Sequence, residues 1–173
     1  MKAYVFPGQG SQKPGMGQSL YNEIIDSRAL FKKANEILNF DITELMFEGT
    51  SEDLLQTRVT QPAIFIHSVI LALTSKSFNP DVCAGHSLGE YSALAAADAL
   101  ALADAARLLK QRGMAMQEAV PVGEGAMAAL LGLDLDAAQH VADFASVGVV
   151  GSCANDNAPG QVVVSGSKKA VEL

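Results

Sequence analysis

The chain has 173 residues, 49% hydrophobic and 18% charged, which suits one soluble globular domain, or one and part of another, with ample core material. Its net charge of −7 argues against general nucleic-acid binding. The N-terminus enters a strand with no basic, apolar leader, and no apolar run approaches membrane-spanning length, so a cytoplasmic protein off the membrane is expected.

Ala3-Tyr4-Val5-Phe6 reads as a short buried strand that Pro7 ends. Gly8-Gln9-Gly10-Ser11-Gln12 follows. It lacks the Gly-Lys-Ser/Thr of a phosphate loop and the glycine spacing of a dinucleotide fingerprint. It is either a plain strand-to-helix loop or, at the sheet edge where α/β proteins bind ligands, a source of backbone N–H donors. Residues 20–38 carry apolar side chains at helical spacing and admit two helices or one bent helix, with Lys32 and Lys33 on a solvated face. A short helix is expected over 41–47, with Asp41 as its N-cap. Gly49-Thr50 breaks it, and Ser51-Glu52-Asp53 starts another turn. Thr60-Gln61-Pro62 is expected to open a strongly apolar helix over 63–75, with proline at the first position. His67 within it reads as a core histidine.

Residues 81–91 organise the chain. Val82, Cys83 and Ala84 are small and apolar, as in a buried parallel strand. Gly85-His86-Ser87-Leu88-Gly89 is a G-x-S-x-G pattern, and 91–102 is rich in helix-forming Ala and Leu. Strand, glycine-flanked turn and helix together predict a nucleophile elbow with Ser87 as the nucleophile. The helix start supplies N–H groups and a positive dipole end beside the hydroxyl. The bland alternative is a serine that merely caps a helix.

Residues 95–119 allow one continuous helix or a break near 98–102, with Asp104 then in the first turn of a second helix bearing Arg107, Lys110 and Arg112. Pro121-Val122-Gly123-Glu124-Gly125 is the clearest linker, dividing the chain into 1–122 and 123–173. Beyond it come a strand (126–133), a helix (134–144), and strands at 147–154 and 161–164 joined by the turn-rich 155–160. Ser165-Gly166-Ser167 then caps a last short helix over 168–173. This β-α-β-β-α order is most of a ferredoxin-like unit without its final strand. The two cysteines, Cys83 and Cys153, lie in apolar runs and are expected as core thiols. No metal ligands recur at usable spacing, and no redox cofactor is called for.

Phe6-Pro7-Gly8-Gln9-Gly10-Ser11-Gln12, Val59-Thr60-Gln61-Pro62-Ala63, Gly85-His86-Ser87-Leu88-Gly89-Glu90-Tyr91, Gln111-Arg112-Gly113 with Met116-Gln117, and residues 155–166 together resemble the malonyl-CoA:acyl carrier protein transacylases. The resemblance implies an α/β-hydrolase-like core with a parallel sheet and an inserted ferredoxin-like subdomain, here incomplete. It also implies a break after the nucleophile helix. By the same resemblance Ser87 takes a malonyl group from malonyl-CoA as an ester and the phosphopantetheine thiol of acyl carrier protein removes it, in fatty acid biosynthesis. The backbone N–H groups of Gln9 and Leu88 form the oxyanion hole, Arg112 grips the malonyl carboxylate, and Gln61 lines the pocket. The coenzyme A thioester is substrate, and no cofactor is implied. The family's general base is a histidine of a downstream Phe-His-Ser type motif. None of His67, His86 and His140 matches it, so one piece of a longer protein is expected. A serine esterase or thioesterase would use the same elbow, and a non-catalytic acyl-carrier-binding fragment would keep the fold without the chemistry.

Overall fold

The computed structural model describes residues 1–121 and 123–173. Backbone packing divides it into two compact units, Met1–Gln117 and Glu118–Leu173. The linker read over 121–125 and the division placed after 122 fall on Val122, which lies outside the described residues.

In the first unit β1 (Ala3–Phe6) pairs in parallel with β2 (Val82–Gly85), from Ala3 opposite Val82 to Phe6 opposite Gly85. Five helices lie between these strands. The first stretch is two helices, α1 (Gln18–Glu23) and α2 (Ile25–Leu38), because Ile24 leaves the helical region at φ −113°, ψ 106°. α3 (Ile42–Glu48) starts as expected, with the Asp41 carboxylate accepting from Glu44 N at 2.9 Å. α4 (Ser51–Leu55) opens on a capping box, Thr50 accepting from Asp53 N while the Asp53 carboxylate accepts from Thr50 N.

α5 (Thr57–Thr74) is the centre of the unit, with α2, α3, α4 and α6 packed on it. Val59, Ala63, Ile64, Phe65, Ile66, Val69 and Ile70 are all buried along it, so it is apolar on most sides, as the sequence predicts. Its start differs from expectation: Pro62 lies inside the helix, not at its first position. The entry is set by Gln56, whose carbonyl accepts from Val59 N at 2.7 Å and Thr60 N at 2.8 Å, and by Thr60 Oγ1, which donates to Leu54 O at 2.5 Å. These bonds start the helix five residues ahead of Pro62, which itself has no N–H to give to the preceding turn. Tyr21, Phe31 and Phe47 close the core beside α2 and α3, their rings meeting edge-on at 5.5 to 5.8 Å. Lys110 Nζ donates to Leu38 O at 2.5 Å at the end of α2 and stands over the Phe40 ring.

After β2 the helix expected over 91–102 is shorter and earlier, α6 (Gly89–Ala96). α7 (Leu102–Ala119) follows, so the two-helix reading holds. The break is made by Asp98, left-handed at φ 58°, with Ala99 N donating back to Leu94 O at 2.9 Å.

The second unit holds β3 (Gly125–Leu131), α8 (Leu135–Ala145), β4 (Gly151–Ala158), β5 (Gln161–Ser167) and α9 (Lys168–Val171). The sheet order is β3-β5-β4, antiparallel throughout. Asp134 caps α8 by accepting from Ala137 N at 2.8 Å. The strand expected over 147–154 is displaced. Residues 146–150 turn instead, with Gly148 left-handed at φ 78° and Val149 N donating to Ser146 O. The polar 155–158, expected as loop, are strand: β4 is an edge strand, and two register shifts against β5 absorb its irregular sequence. Only Pro159 and Gly160 remain as the turn, with Gly160 at φ 77°. β5 correspondingly runs on through 165–167, where Ser167 also caps α9. Cys83 and Cys153 are free and half-buried, not core thiols, because the small strands that carry them are only partly covered. Among the described residues no helix is long and apolar enough to cross a membrane.

Candidate active site

The site begins where β2 runs out. Gly85 ends the strand and Gly89 starts α6, so three residues turn the chain between them. Ser87 in the middle has φ +55°, a left-handed conformation that side-chain-bearing residues adopt at a cost of about 1–2 kcal/mol. Its side chain is exposed. The flanking glycines are there for space. A Cβ on Gly85 would overlap the Gly89 carbonyl, and one on Gly89 would overlap Phe6 O at the end of β1. His86 N donates to Phe6 O at 3.1 Å and ties the turn to β1.

The loop after β1 lies against the same turn. Gly8 is buried, and a Cβ there would come within 2.7 Å of His86 Nδ1. Ser11 Oγ donates to Gly8 O at 2.9 Å and Gly10 N to Gln12 Oε1 at 2.8 Å, which shapes the loop that carries Gln9. Leu88 buries its side chain completely and thereby anchors the start of α6. Among the described residues no hydrogen bond is made by the N–H of Gln9 or of Leu88.

Arg112 comes to the elbow from α7. Its Nη2 donates to Ser87 Oγ at 3.1 Å and its Nη1 to Gln61 Oε1 at 2.6 Å. Gln61 sits on α5, 1% exposed, and its Nε2 donates to Met116 Sδ at 3.3 Å. Ser87, expected from the elbow, and Gln61 and Arg112, expected from the resemblance, are thus one hydrogen-bonded set. The guanidinium keeps N–H groups in a fixed fork, the arrangement that recognises a carboxylate in two-point fashion. Arg107, by contrast, pairs with Asp104 at the surface at 3.0 Å.

The sequence reading missed two contributors. Gly113 follows Arg112 in mid-helix, and a Cβ on it would lie 2.8 Å from Thr57 O and 3.0 Å from Arg58 Cα. It lets α7 close on the start of α5, which is how Arg112 reaches Gln61. The available signal was a glycine in a helix interior, where it costs about 1 kcal/mol and so asks for a packing reason. The second is Met116, quoted as part of a motif but given no task.

The three histidines differ in their surroundings. His67 is half-buried on α5 and lines an apolar groove with Tyr4, Phe6, Pro7, Leu71 and Phe78. Burial, and secondarily the charge of Lys13, hold its pKa below 6.5. The histidine expected in the core is thus only partly enclosed. His86 is exposed within the elbow, and His140 lies on α8 in the second unit. Among the described residues no three His, Cys, Asp or Glu side chains gather as metal ligands would.

A family model described as the acyl transferase domain matches residues 3–173. The malonyl CoA-acyl carrier protein transacylase of Bacillus subtilis (strain 168) is 48% identical over 174 residues, covering 99% of this chain and 55% of that protein. Among solved structures, the acyl-carrier-protein S-malonyltransferase of Burkholderia pseudomallei 1710b superposes with a TM-score of 0.89 at 43% identity, over 99% of this chain and 57% of that one. A malonyl-transacylase solved in complex with a type II PKS acyl-carrier protein superposes with a TM-score of 0.90 at 42% identity, over 98% of this chain and 56% of that one. The chain spans about half the length of the curated relatives it matches. It belongs to the acyl transferase domain family.

Proposed function

We propose that this protein carries the nucleophile and the carboxylate-reading side of a malonyl transferase. Ser87 Oγ attacks the thioester carbon of malonyl-CoA, the carbon–sulfur bond breaks, and coenzyme A leaves as the thiol once it takes up the serine proton. The phosphopantetheine thiol of acyl carrier protein then attacks the malonyl-serine ester and regenerates the hydroxyl, in fatty acid biosynthesis. No cofactor is needed, since the thioester supplies its own leaving group.

The observation that carries this reading is the Arg112 fork, which spans Ser87 Oγ and Gln61 Oε1 at 3.1 and 2.6 Å. A malonyl unit on Ser87 ends in a carboxylate a few bonds away, and the Arg112 guanidinium already bonds the Ser87 hydroxyl. An acetyl unit would leave the guanidinium without that partner. The N–H groups of Gln9 and Leu88 would hold the oxyanion, both being without a hydrogen bond among the described residues. Two features of the fold support the finer description. The parallel β1–β2 pair with its elbow suits an α/β-hydrolase-like core over 1–122. The β3-β5-β4 order suits an incomplete ferredoxin-like subdomain over 123–173. The relative solved with an acyl-carrier protein supports that class of acceptor.

The test is to incubate the chain with malonyl-CoA, with and without imidazole as an external base, and to follow Ser87 by peptide mass spectrometry. A malonyl adduct that persists and then moves to a pantetheine thiol is expected. Immediate free malonate would make the protein an esterase instead. No adduct under either condition would leave an acyl-carrier-binding role.

A further inference from the structure

A buried primary amide needs a partner at each end. Gln61 has both: Oε1 accepts from Arg112 Nη1 at 2.6 Å, and Nε2 donates to Met116 Sδ at 3.3 Å. Arg112 and Met116 lie one turn apart on α7, so a single helix face addresses the two ends of one amide. We propose that Met116 is a positioning residue: its sulfur holds the Gln61 amide with the carbonyl toward Arg112, and so fixes the guanidinium against Ser87. The consequence for substrate choice rests on the malonyl-transfer reading above.

The alternatives for the amide decide the matter. A half-turn would set the Nε2 hydrogens against the Nη1 hydrogens of Arg112, donor against donor. It would also face Oε1 to a sulfur that has no proton to give. With a hydrocarbon at 116 the first orientation still suits Arg112, yet the buried Nε2 then loses the acceptor it has among the described residues. That loss disfavours the native rotamer by about fivefold to tenfold, the lower part of the range for an unmade buried hydrogen bond, because a thioether is a weak acceptor. When Gln61 swings away, Arg112 loses the carbonyl that orients it. Only a substrate read through its carboxylate feels the change. A purely space-filling methionine would alter stability without altering that discrimination.

Met116→Leu keeps the bulk and removes the acceptor, and Met116→Gln returns a carbonyl oxygen to the same place. Two measurements on the whole chain separate the outcomes. The first is the Gln61 side-chain amide signal in ¹H–¹⁵N spectra, identified by its loss in Gln61→Glu. It should shift in Met116→Leu and move back in Met116→Gln. The second is the preference for malonyl-CoA over acetyl-CoA in acylating Ser87. It should fall about fivefold to tenfold in Met116→Leu, through KM for malonyl-CoA with kcat held, and recover in Met116→Gln. An unmoved amide signal in folded Met116→Leu overturns the proposal, and so does a shifted signal with unchanged preference. If the wild-type chain takes no malonyl group, the functional reading fails, and the amide signal still decides whether Met116 holds Gln61.

Discussion

Arg112 Nη2 donates to Ser87 Oγ at 3.1 Å, joining the middle of α7 to the turn in front of α6. The guanidinium thus occupies the space next to the Ser87 hydroxyl, and a carboxylate arriving there finds a donor already oriented. Because Nη1 is held by Gln61, the fork needs little reorganisation to bind, which is where selectivity for a charged acyl group would arise.

Arg112→Ala should therefore erase the preference for malonyl over acetyl groups on Ser87. Arg112 is half-buried, so the lower end of the usual range applies, about 2 kcal/mol or about thirtyfold. Arg112→Lys should fall between, since an ammonium keeps the charge but cannot span Ser87 and Gln61 together. Competition between the two coenzyme A thioesters, read by adduct mass, measures both. An unchanged ratio in Arg112→Ala would remove this residue from the site.

Gly113→Ala sets two effects against each other. Alanine in a helix interior gains about 1 kcal/mol over glycine. The new methyl, however, would sit 2.8 Å from Thr57 O and 3.0 Å from Arg58 Cα, both backbone atoms that cannot rotate away. The clash wins: overpacking against rigid groups typically costs about 1–3 kcal/mol, so urea denaturation should report a net loss. α7 must also retreat from α5, so the Arg112–Gln61 bond should lengthen and malonyl selectivity fall with stability. A more stable Gly113→Ala would show that the two helices are not in the close approach described.

These residues illustrate what a sequence can and cannot reveal. The elbow was legible because its glycines answer to sterics within a few residues of Ser87, and that spacing is written in one stretch of chain. The N-cap at Asp41 was legible for the same reason. Gly113 was not, since the atoms that exclude a side chain there belong to α5, over fifty residues away by the same numbering. The start of α5 was misplaced because Pro62 has a strong local preference, while the bonds to Gln56 that set the real entry depend on how α4 ends. β4 was displaced because an edge strand with bulges tolerates Asn and Asp, which ordinarily mark loops.

Ser87→Gly should be more stable than Ser87→Ala, although both abolish acylation. At φ +55° alanine retains the left-handed strain and glycine releases it, a gain of about 1–2 kcal/mol. Glycine also loosens the unfolded chain, which takes back about 0.4–1 kcal/mol. The net difference of about 1 kcal/mol in favour of glycine is measurable as a shift in urea midpoint at constant slope. Equal midpoints would mean that the elbow stores no strain at this residue.

Stability should also fall as the solution is acidified through the histidine range, with His67 as one cause. Burial first, and the Lys13 charge second, disfavour its protonated form in the folded chain, so its pKa lies below the 6.5 of the unfolded one. Between those two values the unfolded state binds more protons, and stability rises with pH wherever that holds. The contribution is complete above pH 6.5, is lost progressively as pH falls from there to the folded value, and changes no further below it. Urea midpoints taken across this window should slope in the wild type and slope less in His67→Gln. Lys13→Gln should give an intermediate slope, because it removes the second cause and leaves burial in place. If His67→Gln keeps the full wild-type slope, the acid sensitivity belongs to other groups and the half-buried imidazole titrates as it would in water.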